Sequence, residues 1–208
     1  MENIAVFASG RGSNFRKIYQ NINKGEVPAQ ISCLITDNSS AGAISFAEQK
    51  LIPVYTISPK DFSSSEKFGE AVLQILKKYL IAWIILAGYL KKIPDNVFSN
   101  YSNRVLNIHP ALLPSFGGRG MYGMHVHQAV FNSGAKISGV TVHLINNEYD
   151  AGPIVMQQAV DIQNCKSPDE IAKKVLKIEH KLYSKAVQKI LTTKFHISGK
   201  RVIFQSKS

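Results

Sequence analysis

Apolar and polar positions along the chain fall into two alternating rhythms. IAVFAS, from Ile4, is a near-continuous apolar run of strand length, and after GRGSN a helical period runs from about Phe15 to Lys24. The pairing of run and helix then repeats. ISCLITD precedes AGAISFAEQK, VYTIS precedes a helical pattern from Glu66 to Tyr79, and AWIILAGY precedes a short helical stretch from Pro94 to Tyr101. A further strand, Val105 to Ile108, follows. Continuous apolar runs separated by amphipathic helices predict strands buried on both faces, hence an α/β fold with a mainly parallel, doubly wound sheet. The second half changes pattern: GVTVHLI and PIVMQQAVDI flank NNEYDAG, a long helix is expected from about Pro168 to Leu191, and FHIS-GK-RVIF reads as a terminal hairpin. That predicts an antiparallel addition in the C-terminal half.

Three strand ends carry residues that packing does not require. In RVLNIHPALLPSF, Asn107 and His109 flank Ile108, so strand alternation points both polar groups to one side. Pro110 has no N–H for a ladder and places the pair at the strand's carboxyl end, where open α/β sheets bind ligands. Asp150, in EYDAGP between two later strands, is the carboxylate available to orient His109 and to raise its pKa by stabilising the cation. No serine or cysteine stands in a nucleophile elbow. His125 and His127 in MHVHQ lack the H-E-x-x-H or paired cysteines of a metal site, so no metal is expected.

A second strand end is ASGRGSNF. Gly10 and Gly12 let the chain approach a ligand closely, and Ser13 and Asn14 open a helix whose N-terminus favours an anion. A phosphate cradle is one reading. A dinucleotide fingerprint with Asp37 on the ribose is its rival, although Phe15 stands where the third glycine should be. A purely structural turn is the third. In LAGYLKKIP, Gly88 permits close approach and Leu90 to Ile93 form an exposed run; a plain strand-to-helix connection would also produce it.

Composition narrows the setting. The 208 residues, 45% of them hydrophobic, suffice for one domain with a sizeable core. No apolar run is long enough to span a bilayer, and MENIAVFASG enters a strand without the pattern of a secretory signal. Cys33 and Cys165 lie in unrelated contexts, arguing against a disulfide framework. A cytoplasmic protein with no membrane partner is expected. The net charge of +11 raises nucleic acid as a partner. Yet lysines 173, 174, 177, 181, 185 and 189 alternate with apolar positions at helical spacing, which reads as a solvated helix face, and no nucleic-acid partner is expected.

With these residues in place the chain resembles the phosphoribosylglycinamide formyltransferase family, folate-dependent enzymes of purine synthesis with a Rossmann-like formyltransferase fold. SGRGSN, LAGYLKKI, NIHPALLPSF, DAGPI and EHKLYSKAV carry the resemblance, which runs over nearly the whole chain. It implies one formyltransferase domain over residues 1–208, with a nucleotide-phosphate half to about 103 and a catalytic, folate-binding half from about 104. It implies that 10-formyltetrahydrofolate is the co-substrate and glycinamide ribonucleotide the acceptor. Asn107, His109 and Asp150 then match the catalytic trio. Gly12, Ser13 and Asn14 match the phosphate loop, and Glu179 matches the glutamate that holds the glycinamide amine end. Leu90, Lys91, Lys92 and Ile93, with Asn107, match the folate site. Ser65 falls near a position where such enzymes often carry a folate-contacting arginine, and Lys92 stands where an aliphatic residue is common. The implied assembly is a monomer or homodimer with small-molecule partners. Methionyl-tRNA formyltransferase and a formyl-folate hydrolase share the HPALLP signature, and a nucleotide-binding module is the non-enzymatic rival.

Overall fold

A computed structural model describes residues 1–205. The chain divides into two compact units, Met1–Leu106 and a second from Asn107 onward.

In the first unit, β1 (Glu2–Phe7), β2 (Ala29–Thr36), β3 (Val54–Thr56) and β4 (Trp83–Leu86) form a sheet in the order β3-β2-β1-β4. Their pairings are all parallel. Ile4 to Phe7 and the whole of β4 are buried, as the apolar runs require when helices cover both faces. The connections contain α1 (Ser13–Asn23), α2 (Gly42–Gln49), α3 (Ser65–Lys78) and α4 (Asp95–Asn100). Ser64 caps α3 by accepting the Lys67 N–H at 3.1 Å. Strand order reverses between β1 and β4, and the loops leaving their carboxyl ends flank that switch point.

The strand β5 (Val105–His109) crosses the boundary and opens the second unit. There β6 (Ile137–Leu144) and β7 (Ile154–Asp161) run antiparallel, β9 (Arg201–Phe204) pairs in parallel with the start of β7, and β8 (Phe195–Ser198) closes antiparallel on β9. The sheet is thus parallel in its first part with an antiparallel addition, as the patterning predicts. Register slips between Val142 and His143, with Val155 as the extra residue on β7. A bulge of this kind increases local twist and re-aims side chains.

The helix α6 (Pro168–Thr192) starts on the side chain of Ser167, which accepts from Glu170 N, with Pro168 in its first turn. Its apolar stripe packs on β6 and β7, and Lys173, Lys174, Lys177, Lys181 and Lys185 are exposed on the other face. One helix escapes the sequence reading: α5 (Met124–Asn132) has no side-chain cap and starts at Gly123. Its buried face is only Val126, His127 and Val130, too short a stripe to register as helical periodicity.

Candidate active site

Each unit holds one group of the residues singled out above. In the second unit β5 ends at His109, as Pro110 requires, and the chain beyond it is pinned from the neighbouring strands. Thr141 of β6 donates its hydroxyl to the Ala111 carbonyl at 2.7 Å and accepts the Leu113 N–H at 3.0 Å. Gln157, its cross-strand partner on β7, donates to the Leu113 carbonyl at 2.9 Å and to the Thr141 hydroxyl at 2.9 Å. ALLP is therefore a fixed support and not a loose loop.

Asn107 and His109 both face the place where β6 and β7 separate. Asp150 arrives there from the connecting loop with φ 54°, a left-handed conformation that Asp and Asn tolerate better than most residues. Its Oδ2 accepts the Gly118 N–H at 3.0 Å and lies 3.5 Å from His109 Nδ1. The other ring nitrogen, Nε2, donates to the Phe116 carbonyl at 2.8 Å. A fourth group joins the trio. His143 Nδ1 donates to the Leu144 carbonyl at 2.9 Å, which leaves Nε2 to accept from Asn107 Nδ2 at 3.1 Å; Asp150 Oδ1 is 3.7 Å from the same atom. His143 thus bridges Asn107 and Asp150. The sequence signal for it was a single histidine in the apolar strand GVTVHLI, and the bulge that aims it is invisible in one strand alone.

Burial decides the charge state of His109. Its side chain is only 4% exposed, and the cost of desolvating a cation pushes its pKa below 6.5, although the Asp150 carboxylate and the Phe116 carbonyl pull the other way and His143 adds to the lowering. The expectation of a raised pKa is therefore reversed: Asp150 exerts the anticipated pull, but desolvation exceeds it. Burial would raise the Asp150 carboxyl; the His143 ring beside it, the facing His109 and the Gly118 N–H outweigh it and hold it below 3.8. The resting pair at neutral pH is a neutral imidazole against a carboxylate.

His127, buried on α5, also has a lowered pKa, from desolvation and from His109. Native His109 and His127 bind protons less readily than in the unfolded chain, so stability is lost as pH falls below about 6.5; Asp150 adds stability present above about 3.8 and lost as pH falls through its native pKa. All three act in the same direction. Urea midpoints should fall between about pH 7 and 5, and His127→Gln should flatten part of that slope. A midpoint flat across the range would contradict buried neutral histidines.

In the first unit Gly12, at φ 71°, is the N-cap of α1, with Ser13 and Asn14 as the first helical residues and no side-chain cap hydrogen bond. A Cβ on Gly12 would lie 2.8 Å from that of Ala43, so glycine is required by backbone conformation and by the packing of α2. Phe15 is fully buried with its ring edge-on to Phe46, centroids 5.2 Å apart. It fills the space that a dinucleotide fold reserves for the third glycine. The Asp37 carboxylate is committed to the Ser9 hydroxyl and to Lys91 Nζ at 3.5 Å, which disfavours its assignment to a ribose.

Leu90 to Ile93 follow β4 by way of Gly88 at φ 79°. Leu90, Lys91 and Lys92 are exposed and Ile93 is buried. The Leu90 N–H is held by the Ser9 hydroxyl at 2.9 Å, and Lys92 pairs with Asp95 at 3.2 Å. Ser65 opens α3. In the second unit Glu179 lies half-buried within α6, apart in sequence from the Asn107, His109 and Asp150 cluster. Among the described residues no group of three or more His, Cys, Asp or Glu could hold a metal ion, and no helix is long and apolar enough to cross a membrane.

Residues 2–187 match the family model described as formyl transferase. Phosphoribosylglycinamide formyltransferase of Bacillus subtilis is 34% identical over 191 residues, covering 92% of this chain and 95% of that protein. The chloroplastic phosphoribosylglycinamide formyltransferase of Arabidopsis thaliana is 44% identical over 185 residues. That match covers 88% of this chain but 63% of the plant protein, so the chain spans less than two thirds of the plant relative. Among solved structures, glycinamide ribonucleotide transformylase 1 from Symbiobacterium toebii superposes with a TM-score of 0.92 at 28% identity, over 99% of this chain and 95% of that one. Phosphoribosylglycinamide formyltransferase from Bacillus halodurans gives 0.86 at 34% identity, over 92% and 96%.

Proposed function

The chain belongs to the formyl transferase family, and from that premise we propose that it transfers the formyl group of 10-formyltetrahydrofolate to the amine of glycinamide ribonucleotide. The products are formylglycinamide ribonucleotide and tetrahydrofolate, a step of purine synthesis. The observation that carries the reading is the buried arrangement of Asn107, His109 and Asp150 at the end of β5, tied together by His143. These are donors and proton carriers with no hydroxyl or thiol nucleophile among them, and formyl transfer to an amine needs no more.

The substrate amine attacks the formyl carbon, so a C–N bond forms and negative charge collects on the formyl oxygen. Asn107 Nδ2 and His109 Nε2–H are the donors for that oxygen; a preplaced donor of this type is worth about a hundred- to a thousandfold in rate. At rest these hydrogens are held by His143 and the Phe116 carbonyl, and bound substrate takes their place. The bond from carbon to the folate nitrogen then breaks. The amine loses one proton and the folate nitrogen gains one. Asp150, directly or through water, accepts the first and passes it to the facing His109 Nδ1 as His109 Nε2 gives its own proton to the folate nitrogen, so that both residues end in the state in which they began.

The first unit serves as the nucleotide half, with Gly12, Ser13 and Asn14 around the phosphate at the N-terminus of α1. Leu90 to Ile93 meet the folate ring and Glu179 the glycinamide end. Ser13→Asp places a carboxylate in the phosphate position while remaining favourable to the helix N-terminus. The nucleotide KM should rise at least about tenfold with the folate KM nearly unchanged. Equal nucleotide KM values would move the phosphate elsewhere.

The deciding experiment follows folate absorbance with 10-formyltetrahydrofolate, with and without glycinamide ribonucleotide. Turnover that requires the nucleotide supports the transfer reading. Turnover that ignores it points to a hydrolase.

A further inference from the structure

Ser9 ties together three strand ends of the first unit. It stands two residues beyond the end of β1, is 6% exposed, and uses every polar atom it has. Its N–H donates to the Gly88 carbonyl beyond β4 at 3.0 Å, and its carbonyl accepts from Asn38 Nδ2 beyond β2 at 3.1 Å. Its hydroxyl donates to Asp37 and accepts the Leu90 N–H at 2.9 Å. Asp37 is nearly buried, with 8% of its side chain exposed, and turns its second oxygen to Lys91 Nζ at 3.5 Å.

The chain on either side of this junction has little slack. One residue beyond Ser9, the Gly10 carbonyl accepts the Ala43 N–H at 3.1 Å, and two further on Gly12 is wedged against Ala43 before α1 begins. On the other side, Tyr89 packs edge-on against Phe7 of β1 with centroids 5.3 Å apart. Through one hydroxyl, the loop that opens α1 and the Leu90 to Ile93 strap share a single geometry. Strand packing alone would not call for this: an alanine would fit a buried strand end, whereas a desolvated carboxylate and hydroxyl are stabilised only by being aimed at partners.

We propose that Ser9, oriented by Asp37, is a positioning residue that couples the nucleotide-phosphate loop to the folate strap, so that either ligand strengthens the binding of the other. The inference rests on the assignment of those two segments under the proposed function. A ligand that orders the strap fixes the Leu90 N–H, which fixes the Ser9 hydroxyl and the loop behind it. The second ligand then meets a segment whose ordering cost has been met. Coupling of this kind is reciprocal, with the same factor in both directions.

The test is calorimetric titration of glycinamide ribonucleotide and of tetrahydrofolate, which has no formyl group to lose, each alone and each in the presence of the other. In the wild-type protein each ligand should lower the other's Kd by about fivefold or more. In Ser9→Ala the factor should shrink to about twofold or less, with each ligand alone bound within about threefold of wild type. Asp37→Ala, which removes the acceptor that aims the hydroxyl, should also reduce the factor, and it carries the test if Ser9→Ala does not fold. Full coupling in either folded variant, or wild-type protein that binds both ligands without coupling, would overturn the inference. Failure of the wild-type protein to bind one of the ligands would instead overturn the functional reading on which it stands.

Discussion

Asp150→Asn should lower kcat by at least about a hundredfold while leaving both KM values within a few-fold of wild type. Asparagine tolerates the left-handed backbone of position 150 and keeps an oxygen for the Gly118 N–H, so the loop should hold its shape. What is lost is the charge beside His109 Nδ1 and His143 Nε2. Because that charge raises the pKa of His109 against desolvation, its removal should also move the histidine's titration to lower pH. His109→Ala should be comparably slow. The double variant should be far less impaired than the product of the two single losses, since groups that act as a unit are not additive. Multiplicative losses would mean that the two residues work independently and that the proton relay between them is wrong.

Gly152→Ala should cost about 3 kcal/mol of stability, for a steric reason that no flexible side chain can relieve. A Cβ at this position would overlap the Leu144 carbonyl oxygen and lie 2.9 Å from the Leu144 carbonyl carbon and 3.1 Å from that of Ile145. The same oxygen holds His143 Nδ1, and the Leu144 N–H is bonded to the Pro153 carbonyl at 2.9 Å. Urea unfolding should show a lower midpoint at an unchanged m-value. Gly10→Ala, where a Cβ meets nothing within 4 Å, should change stability by less than about 0.5 kcal/mol and serves as the control. A Gly152→Ala midpoint matching wild type would place the turn between β6 and β7 elsewhere.

The two rhythms of the chain made most of the sheet legible, because strands buried on both faces read as unbroken apolar runs and cannot be mistaken for amphipathic helices. The meeting of Asn107 with His109 followed from alternation and a proline. Asp150 was reachable because few acids follow the pair and it sits in a glycine-bearing turn. The rest depended on tertiary placement. α5 buries too few side chains to leave a periodic trace. His143 is recruited by a bulge, which is a relation between strands and leaves no mark on either one. The direction of the His109 shift was set by how much water was removed, a quantity the sequence near the histidine does not contain. Ser9, Asp37 and Leu90 are separated by up to 81 residues, and only the parallel order of β2, β1 and β4 makes them neighbours.

The C-terminal hairpin lies beyond residues 2–187, the part that matches the family model, yet it does not hang free: the Ile154 N–H at the start of β7 donates to the Lys200 carbonyl at 3.0 Å, and Ile154 faces Arg201 across the ladder. A chain shortened to the family boundary would leave that donor, four residues after Asp150, as an unpaired sheet edge at the head of the apolar run Ile154, Val155, Met156. Bare edges of this composition recruit other strands. In the intact protein the outermost strand is instead the four-residue β8, bracketed by Lys194 and Lys200, whose charge and shortness make it a poor template for pairing with another chain. The hairpin therefore bears on colloidal behaviour: it exchanges an aggregation-prone border next to the reactive carboxylate for a short, positively charged one remote from it in sequence.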